Sequence, residues 1–188
     1  LDAATGKRIW HFQFVRHDVW DRDLPAAPTL VEVRQNGRVI DALAQITKYG
    51  RLWLLDRRTG KPLVRYEKVN TPKSEVDGEK LAATQVLPVE PEPYARQQVT
   101  PEILTNRTPA AHAAVLEQFA KLSSGPQFTP PSFKGTVILP GLDGGGEWGG
   151  AAWDPETGIL YINSTEMAWI LRLVPRRLGT EALTGSTL

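Results

Sequence analysis

Asp2-Ala3-Ala4-Thr5-Gly6, Asp56-Arg57-Arg58-Thr59-Gly60 and Asp154-Pro155-Glu156-Thr157-Gly158 are three copies of one string, Asp-x-x-Thr-Gly. The copies adjoin apolar, β-rich runs. Leu52-Trp53-Leu54-Leu55 precedes the second copy, and Pro62-Leu63-Val64 follows it. Gly149-Gly150-Ala151-Ala152-Trp153 precedes the third, and Ile159-Leu160-Tyr161-Ile162 follows it. Ile9-Trp10-His11-Phe12-Gln13-Phe14 follows the first. Each string reads as the turn of a hairpin. Asp accepts backbone N–H bonds inside a turn, and Gly supplies the positive φ that closes it.

Two strands joined this way cannot bury their own faces, so they must stack beside similar units, as the blades of a β-propeller do. Three unrelated Asx-turn hairpins would share the same residues, but identical spacing and flanking strands favour a repeat. The copies lie 54 and then 98 residues apart. A blade takes about 40–50 residues. The first interval is therefore one blade, and the second is one blade plus a large insertion.

Composition places the insertion at 70–132, where nine of the 15 prolines lie. It is expected to be mostly extended loop. One helix is expected near 109–122. Thr108 suits the N-cap and Pro109 the first helical position, and Val115, Phe119 and Leu122 share a face. A shorter turn is expected at Thr100-Pro101. His112 reads as a packing residue rather than a ligand. Strands are expected at Leu30–Val33 and Val39–Ile46, joined by an Asn36-Gly37 hairpin turn, and at Phe12–Val15, Thr136–Leu139 and Trp169–Val174. The chain thus divides into blade segments at 1–69 and 133–188 around the insertion.

The 188 residues carry a net charge of +1, and 41% of them are hydrophobic. That composition supports a folded core and gives no electrostatic case for nucleic acid as a partner. The absence of cysteine excludes disulfides, thiolate metal sites and cysteine nucleophiles. No apolar run is long enough to span a membrane, and no signal peptide is expected within this chain, which opens with Leu1 rather than Met.

Three stretches carry chemistry. His17-Asp18-Val19-Trp20-Asp21-Arg22-Asp23-Leu24-Pro25 crowds three carboxylates into nine residues. Crowded carboxylates raise one another's pKa, which suits a general base; the same string also reads as a polar turn with an Asx cap. Lys48 lies between two apolar runs, where it points into a cleft or snorkels to the surface. Gly141 to Gly150 holds six glycines around Glu147 and Trp148. It allows close approach to a flat ligand, or it is an ordinary loop between blades. It matches neither common phosphate-loop pattern.

In order along the chain, these strings resemble the pyrroloquinoline-quinone-dependent dehydrogenases, in particular the membrane-bound glucose, quinate and shikimate branch. The resemblance rests on Leu1-Asp2-Ala3-Ala4-Thr5-Gly6-Lys7-Arg8-Ile9-Trp10, on His17-Asp18-Val19-Trp20-Asp21 with Leu24-Pro25, and on Leu55-Asp56-Arg57-Arg58-Thr59-Gly60. Phe128-Thr129-Pro130-Pro131, Gly146-Glu147-Trp148-Gly149-Gly150 and Asp154-Pro155-Glu156-Thr157-Gly158 continue it. It implies an all-β fold, a fragment of an eight-bladed propeller comprising about two to three blades, with Trp10 in a tryptophan-docking motif. It also implies that Asp21 is the catalytic base, taking the substrate hydroxyl proton while hydride moves to the quinone C5. Lys48 would hydrogen-bond the quinone carbonyl oxygens, and Asn163, Glu147 and Trp148 would line the cofactor. Trp20 is expected near the cofactor, Trp53 and Trp153 in blade packing.

The resemblance further implies a Ca²⁺ or Mg²⁺ ion held mostly by residues beyond this stretch, and a sugar or polyol substrate. A respiratory quinone as electron acceptor, a periplasmic location and a membrane anchor outside this chain complete the expectation. A non-catalytic propeller scaffold and a quinoprotein alcohol dehydrogenase with a fused haem domain are the alternatives. Taken alone, the chain is expected to be marginally stable and inactive, because it carries one wall of a site.

Overall fold

A computed structural model describes residues 1–175. In chain order it contains β1 (Thr29–Gln35), β2 (Arg38–Ile46), β3 (Leu52–Asp56), β4 (Tyr66–Asn70) and β5 (Thr84–Pro88). A 3-10 turn (Pro101–Ile103), helix α1 (Pro109–Phe119) and β6 (Ser123–Ser124) follow. Then come β7 (Thr136–Ile138), β8 (Ala151–Asp154), β9 (Ile159–Ile162) and β10 (Trp169–Leu171). The blade segment expected at 133–188 runs past the described residues from 176 onward.

The Asp-x-x-Thr-Gly strings fold alike. In each, the glycine N–H donates to the aspartate backbone carbonyl, at 2.8, 2.8 and 2.9 Å. The glycines take φ of 69°, 70° and 72°. The aspartate carboxylate accepts the threonine N–H at 2.8, 3.0 and 3.5 Å. These contacts hold the Asp2, Asp56 and Asp154 carboxyls below the usual carboxylate range, hydrogen bonds from the turn being the leading cause. The repeat is therefore one local structure formed three times.

The second copy closes the best-formed blade. β1 and β2 pair antiparallel from Thr29↔Ala44 to Gln35↔Arg38. Asn36 and Gly37 form their two-residue loop with φ of 51° and 72°. Both values are positive, as the right-handed twist of the two strands requires. β3 pairs with β2, and a Leu55↔Pro62 bridge adds the beginning of a fourth strand. The third copy joins β8 to β9. Thr29 Oγ1 donates to the Ala151 carbonyl at 3.0 Å, which ties this hairpin to β1. The described strands form four small sheets, with no ring closed among them.

Trp53, fully buried in β3, is the centre of the main core. Phe12 and Phe14 pack on it with ring centroids 4.9 and 6.0 Å away. Its Nε1 donates to the Tyr49 hydroxyl at 2.7 Å. The strand expected at Phe12–Val15 does not form. No described strand lies beside it to supply a ladder, and side-chain packing holds it instead. Arg16 N–H donates to Gln85 Oε1 at 2.8 Å, and Gln85 Nε2 returns a bond to the Arg16 carbonyl at 2.7 Å. These bonds tie the segment to β5.

Within 70–132, α1 starts as expected. Thr108 Oγ1 accepts the Ala111 N–H at 3.1 Å and Pro109 takes the first helical position. Phe119 and Leu122 pack on Val99, Val137 and Leu139. His112 Nδ1 bonds the Thr105 carbonyl at 3.0 Å, a packing role. The stretch also holds β5, which pairs with β4 just before it. Five residues ending in proline give too short a pattern to be read as a strand. The same holds for β6, two serines parallel to β7. β10 pairs with β7 on the other edge, over three of the six residues expected at Trp169–Val174.

Candidate active site

The turn Thr47-Lys48-Tyr49-Gly50 links β2 to β3 and is clamped from two sides. Thr47 N–H donates to the Tyr94 hydroxyl at 2.8 Å, and that hydroxyl donates to the Thr47 carbonyl at 2.6 Å. From the other side, Gly145 N–H donates to the Lys48 carbonyl at 2.7 Å and Gly146 N–H to the Thr47 carbonyl at 3.2 Å. A β-carbon at Gly144 would lie 2.6 Å from Lys48 Cγ, and one at Gly145 would lie 2.9 Å from Gly50 Cα. The glycines of 144–146 are thus spent on backbone packing against the lysine turn. At these three glycines the close approach is to protein, the packing that an ordinary loop between blades makes.

So held, Lys48 is buried, and its ammonium meets carboxylates that are themselves largely exposed. Nζ lies 2.9 Å from Asp21 Oδ2, 2.7 Å from Asp23 Oδ1 and 3.8 Å from Glu147 Oε1. Burial acts to lower the lysine pKa. Hydrogen bonds to Asp23 and Asp21, together with their charges, outweigh it and hold the ammonium above its ordinary value.

The carboxylates come from an irregular loop. Asp18 caps it, Oδ1 accepting Trp20 N–H at 2.8 Å and Oδ2 accepting Arg22 N–H at 2.7 Å. The reading of the acidic string as a polar turn with an Asx cap is realised. Asp18 makes the Asx cap, and Asp21 and Asp23 face the lysine. Asp21 sits in the left-handed region at φ 59°. Arg22 turns inward and is buried. Its Nη1 donates to the Gly141 carbonyl at 3.2 Å and its Nη2 to Gln127 Oε1 at 3.4 Å. Burial pulls its pKa down to about 10, against the charges of Asp18 and Asp21.

Of the five expected site residues, Asp21, Lys48 and Glu147 come together around one ammonium. Asn163 lies against Gly149, two positions after Glu147, and Thr165 N–H donates to the Gly145 carbonyl at 3.1 Å. Trp148 projects outward at 84% exposure, its indole face uncovered. Trp20 does not line the site. It is 1% exposed, stacks edge-on against Phe128 and donates Nε1 to the Thr129 carbonyl at 3.0 Å. An indole in a core leaves no face for a ligand. Asp23 is the partner that the resemblance does not name. Its only sequence sign is its place two residues after Asp21.

Outside the site, Trp10 explains the blade frame. Its Nε1 donates to the Arg57 carbonyl at 3.0 Å, and its ring covers Gly60 so closely that a β-carbon there would collide with it. Trp169 covers Gly141 in the same way and donates to Asp143 Oδ2 at 3.0 Å.

Residues 1–186 match the family model described as the β-propeller domain of PQQ-dependent glucose, ethanol and alcohol dehydrogenases. The chain belongs to this family. It is 36% identical over 186 residues to a quinoprotein glucose dehydrogenase of Gluconobacter oxydans (strain 621H), covering 95% of this chain and 22% of that protein. A quinate/shikimate dehydrogenase of Acinetobacter baylyi is 30% identical over 175 residues, with 93% and 22% covered. The large subunit of a glycerol dehydrogenase of Gluconobacter oxydans is 32% identical over 184 residues, with 96% and 25% covered. The chain therefore spans between a fifth and a quarter of the length of these relatives. Among solved structures, a quinohemoprotein alcohol dehydrogenase from Pseudomonas putida HK5 superposes with a TM-score of 0.54 at 20% identity, covering 94% of this chain and 20% of that one. That likeness supports the propeller fold.

Proposed function

We propose that this chain forms one wall of the active site of a quinoprotein dehydrogenase that oxidises a hydroxyl of a sugar or polyol. The observation that carries the proposal is the buried-stem lysine paired at 2.9 Å with an exposed aspartate, Asp21. A scaffold has no need to hold an ammonium and a solvent-facing carboxylate in contact at the mouth of a loop cluster.

The residues fit pyrroloquinoline quinone. An ammonium has three N–H donors, and two are engaged here by Asp21 and Asp23, while Glu147 stands beyond bonding range at 3.8 Å. The third donor and the uncovered indole of Trp148 are what a flat, carbonyl-bearing anion would use. When bound, the quinone supplies the acceptor for the substrate's hydride. Asp21 takes the hydroxyl proton on a carboxylate oxygen as the substrate carbon becomes a carbonyl. Lys48 places positive charge beside the acceptor oxygens. Glu147, Trp148 and Asn163 line the same rim. Ca²⁺ or Mg²⁺ finds no group of three suitable ligands among the described residues. Most of its ligands would come from the rest of the full-length protein.

Names of the relatives support the substrate class, since glucose, quinate and glycerol are all polyhydroxylated. A respiratory quinone as final acceptor, a periplasmic site and a membrane anchor outside this chain belong to the same proposal. The test is full-length protein given the quinone and Ca²⁺ or Mg²⁺. It should reduce an artificial dye with glucose or another polyol, and Asp21→Asn should lose that activity while still binding quinone. Undiminished turnover in Asp21→Asn would overturn the proposal. No quinone binding in an absorbance titration would favour a scaffold.

A further inference from the structure

We infer that Asp23 is a positioning residue that anchors Lys48 and keeps it neutralised while Asp21 is free to take a proton. The inference rests on the quinone-dependent reading above.

Charge and geometry carry it. Lys48 has a side chain only 9% exposed, whereas Asp21 and Asp23 are each more than half exposed. A cation on a buried stem is costly to leave without a partner. If Asp21 were its sole counter-ion, protonation of Asp21 would strand the ammonium. Asp23 removes that conflict. Its Oδ1 holds Nζ at 2.7 Å, closer than Asp21 at 2.9 Å. With both aspartates ionised, the lysine has one counter-charge more than it needs at bonding distance. With Asp21 protonated, the Lys48–Asp23 pair is still neutral. Glu147 adds a third counter-charge at 3.8 Å, but outside hydrogen-bond range it cannot hold Nζ in one place as Asp23 does.

The backbone commits Asp23 to the task. Asp18 caps the N–H groups of Trp20 and Arg22, and buried Arg22 pins the chain between the two aspartates to Gly141 and Gln127. Asp21, at φ 59°, turns the loop so that both carboxylates reach one Nζ. The charged groups around the ammonium are thus Asp21, Asp23 and Glu147, with Arg22 behind the loop and Asp18 accepting that residue's backbone N–H.

The experiment uses full-length protein as wild type, Asp23→Asn, Asp23→Glu and Asp21→Asn. The first readout needs no quinone and no turnover. It is the rate at which Lys48 is acetylated by limiting acetic anhydride, mapped by mass spectrometry. A released ammonium gives up its proton more readily, so labelling in Asp23→Asn should rise roughly threefold or more, which corresponds to about half a pKa unit. The second readout is kinetics with saturating quinone. There kcat of Asp23→Asn should fall about tenfold or more, with substrate KM within about twofold, as expected for loss of alignment rather than of binding. Asp23→Glu should restore both. Wild-type labelling and wild-type kcat in Asp23→Asn would overturn the inference. If Asp21→Asn keeps its activity, or wild type binds no quinone, the quinone-dependent reading falls instead. The labelling arm then still decides whether Asp23 anchors the lysine.

Discussion

The indole of Trp10 sits over Gly60, fifty residues further along the chain, and bonds the Arg57 carbonyl of the same turn. One repeat therefore grips the turn of the next. Gly60 has two reasons to be glycine, its φ of 70° and the ring above it. Gly60→Ala should lower stability by about 1–3 kcal/mol, combining left-handed strain with displacement of the indole. Denaturant titration of the folded protein checks it, and Trp10 fluorescence should shift toward that of a solvent-exposed indole.

Gly144→Ala tests the clamp on the lysine turn. The new methyl would meet Lys48 Cγ and Cα at a residue whose φ is 75°. Quinone affinity of the full-length protein should fall by about tenfold or more, because Lys48 must shift. Unchanged affinity would mean that the glycine loop does not set the lysine's position.

Tyr94→Phe should cost about 1–3 kcal/mol, because the Thr47 N–H loses its partner and the Thr47 carbonyl loses one of its donors. It should also change the alkaline limb of stability. Burial raises the Tyr94 pKa from 10.0 to about 12. A raised acid is neutral when folded and ionises first when unfolded. Its contribution is present below pH 10 and is lost as pH rises toward 12. Lys48 acts in the same direction, since its folded pKa lies above its ordinary 10.5. Urea midpoints measured between pH 8 and 12 should fall less steeply in Tyr94→Phe than in wild type.

Trp148→Ala separates binding from folding. An indole 84% exposed contributes little to the core, so stability should stay within about 0.5 kcal/mol of wild type. Quinone affinity should fall, by about 1–3 kcal/mol if the ring stacks on the cofactor. Fluorescence titration reads both.

Local chemistry was legible wherever a few adjacent residues decide the outcome. The Asp-x-x-Thr-Gly turns, the Asn36-Gly37 hairpin and the Thr108-Pro109 helix start each close with their own atoms, and each forms as expected. Segments whose shape depends on distant partners were not. Phe12–Val15 has a strand's composition but finds Trp53 and Gln85 instead of a ladder. β5 and β6 are too short to show a period, and exist because β4 and β7 pair with them.

The candidate site divides the same way. Motif order along the chain leads to Asp21, Lys48 and Glu147, which do converge. It gives no burial, so it does not show that Trp20 packs into the core against Phe128. It also passes over Asp23, whose importance appears only when Nζ is seen to lie between two carboxylates.

The three turns close alike, and at one of them this chain also supplies the residue that grips it. Nothing lies within 4 Å of a β-carbon at Gly6, and at Gly158 only the rim of Trp153 does, at 3.8 Å. At Gly60 the indole forbids any side chain. The tryptophan that grips the middle turn belongs to the repeat before it, so this joint is built from two repeats at once, and a change in one is felt in the other.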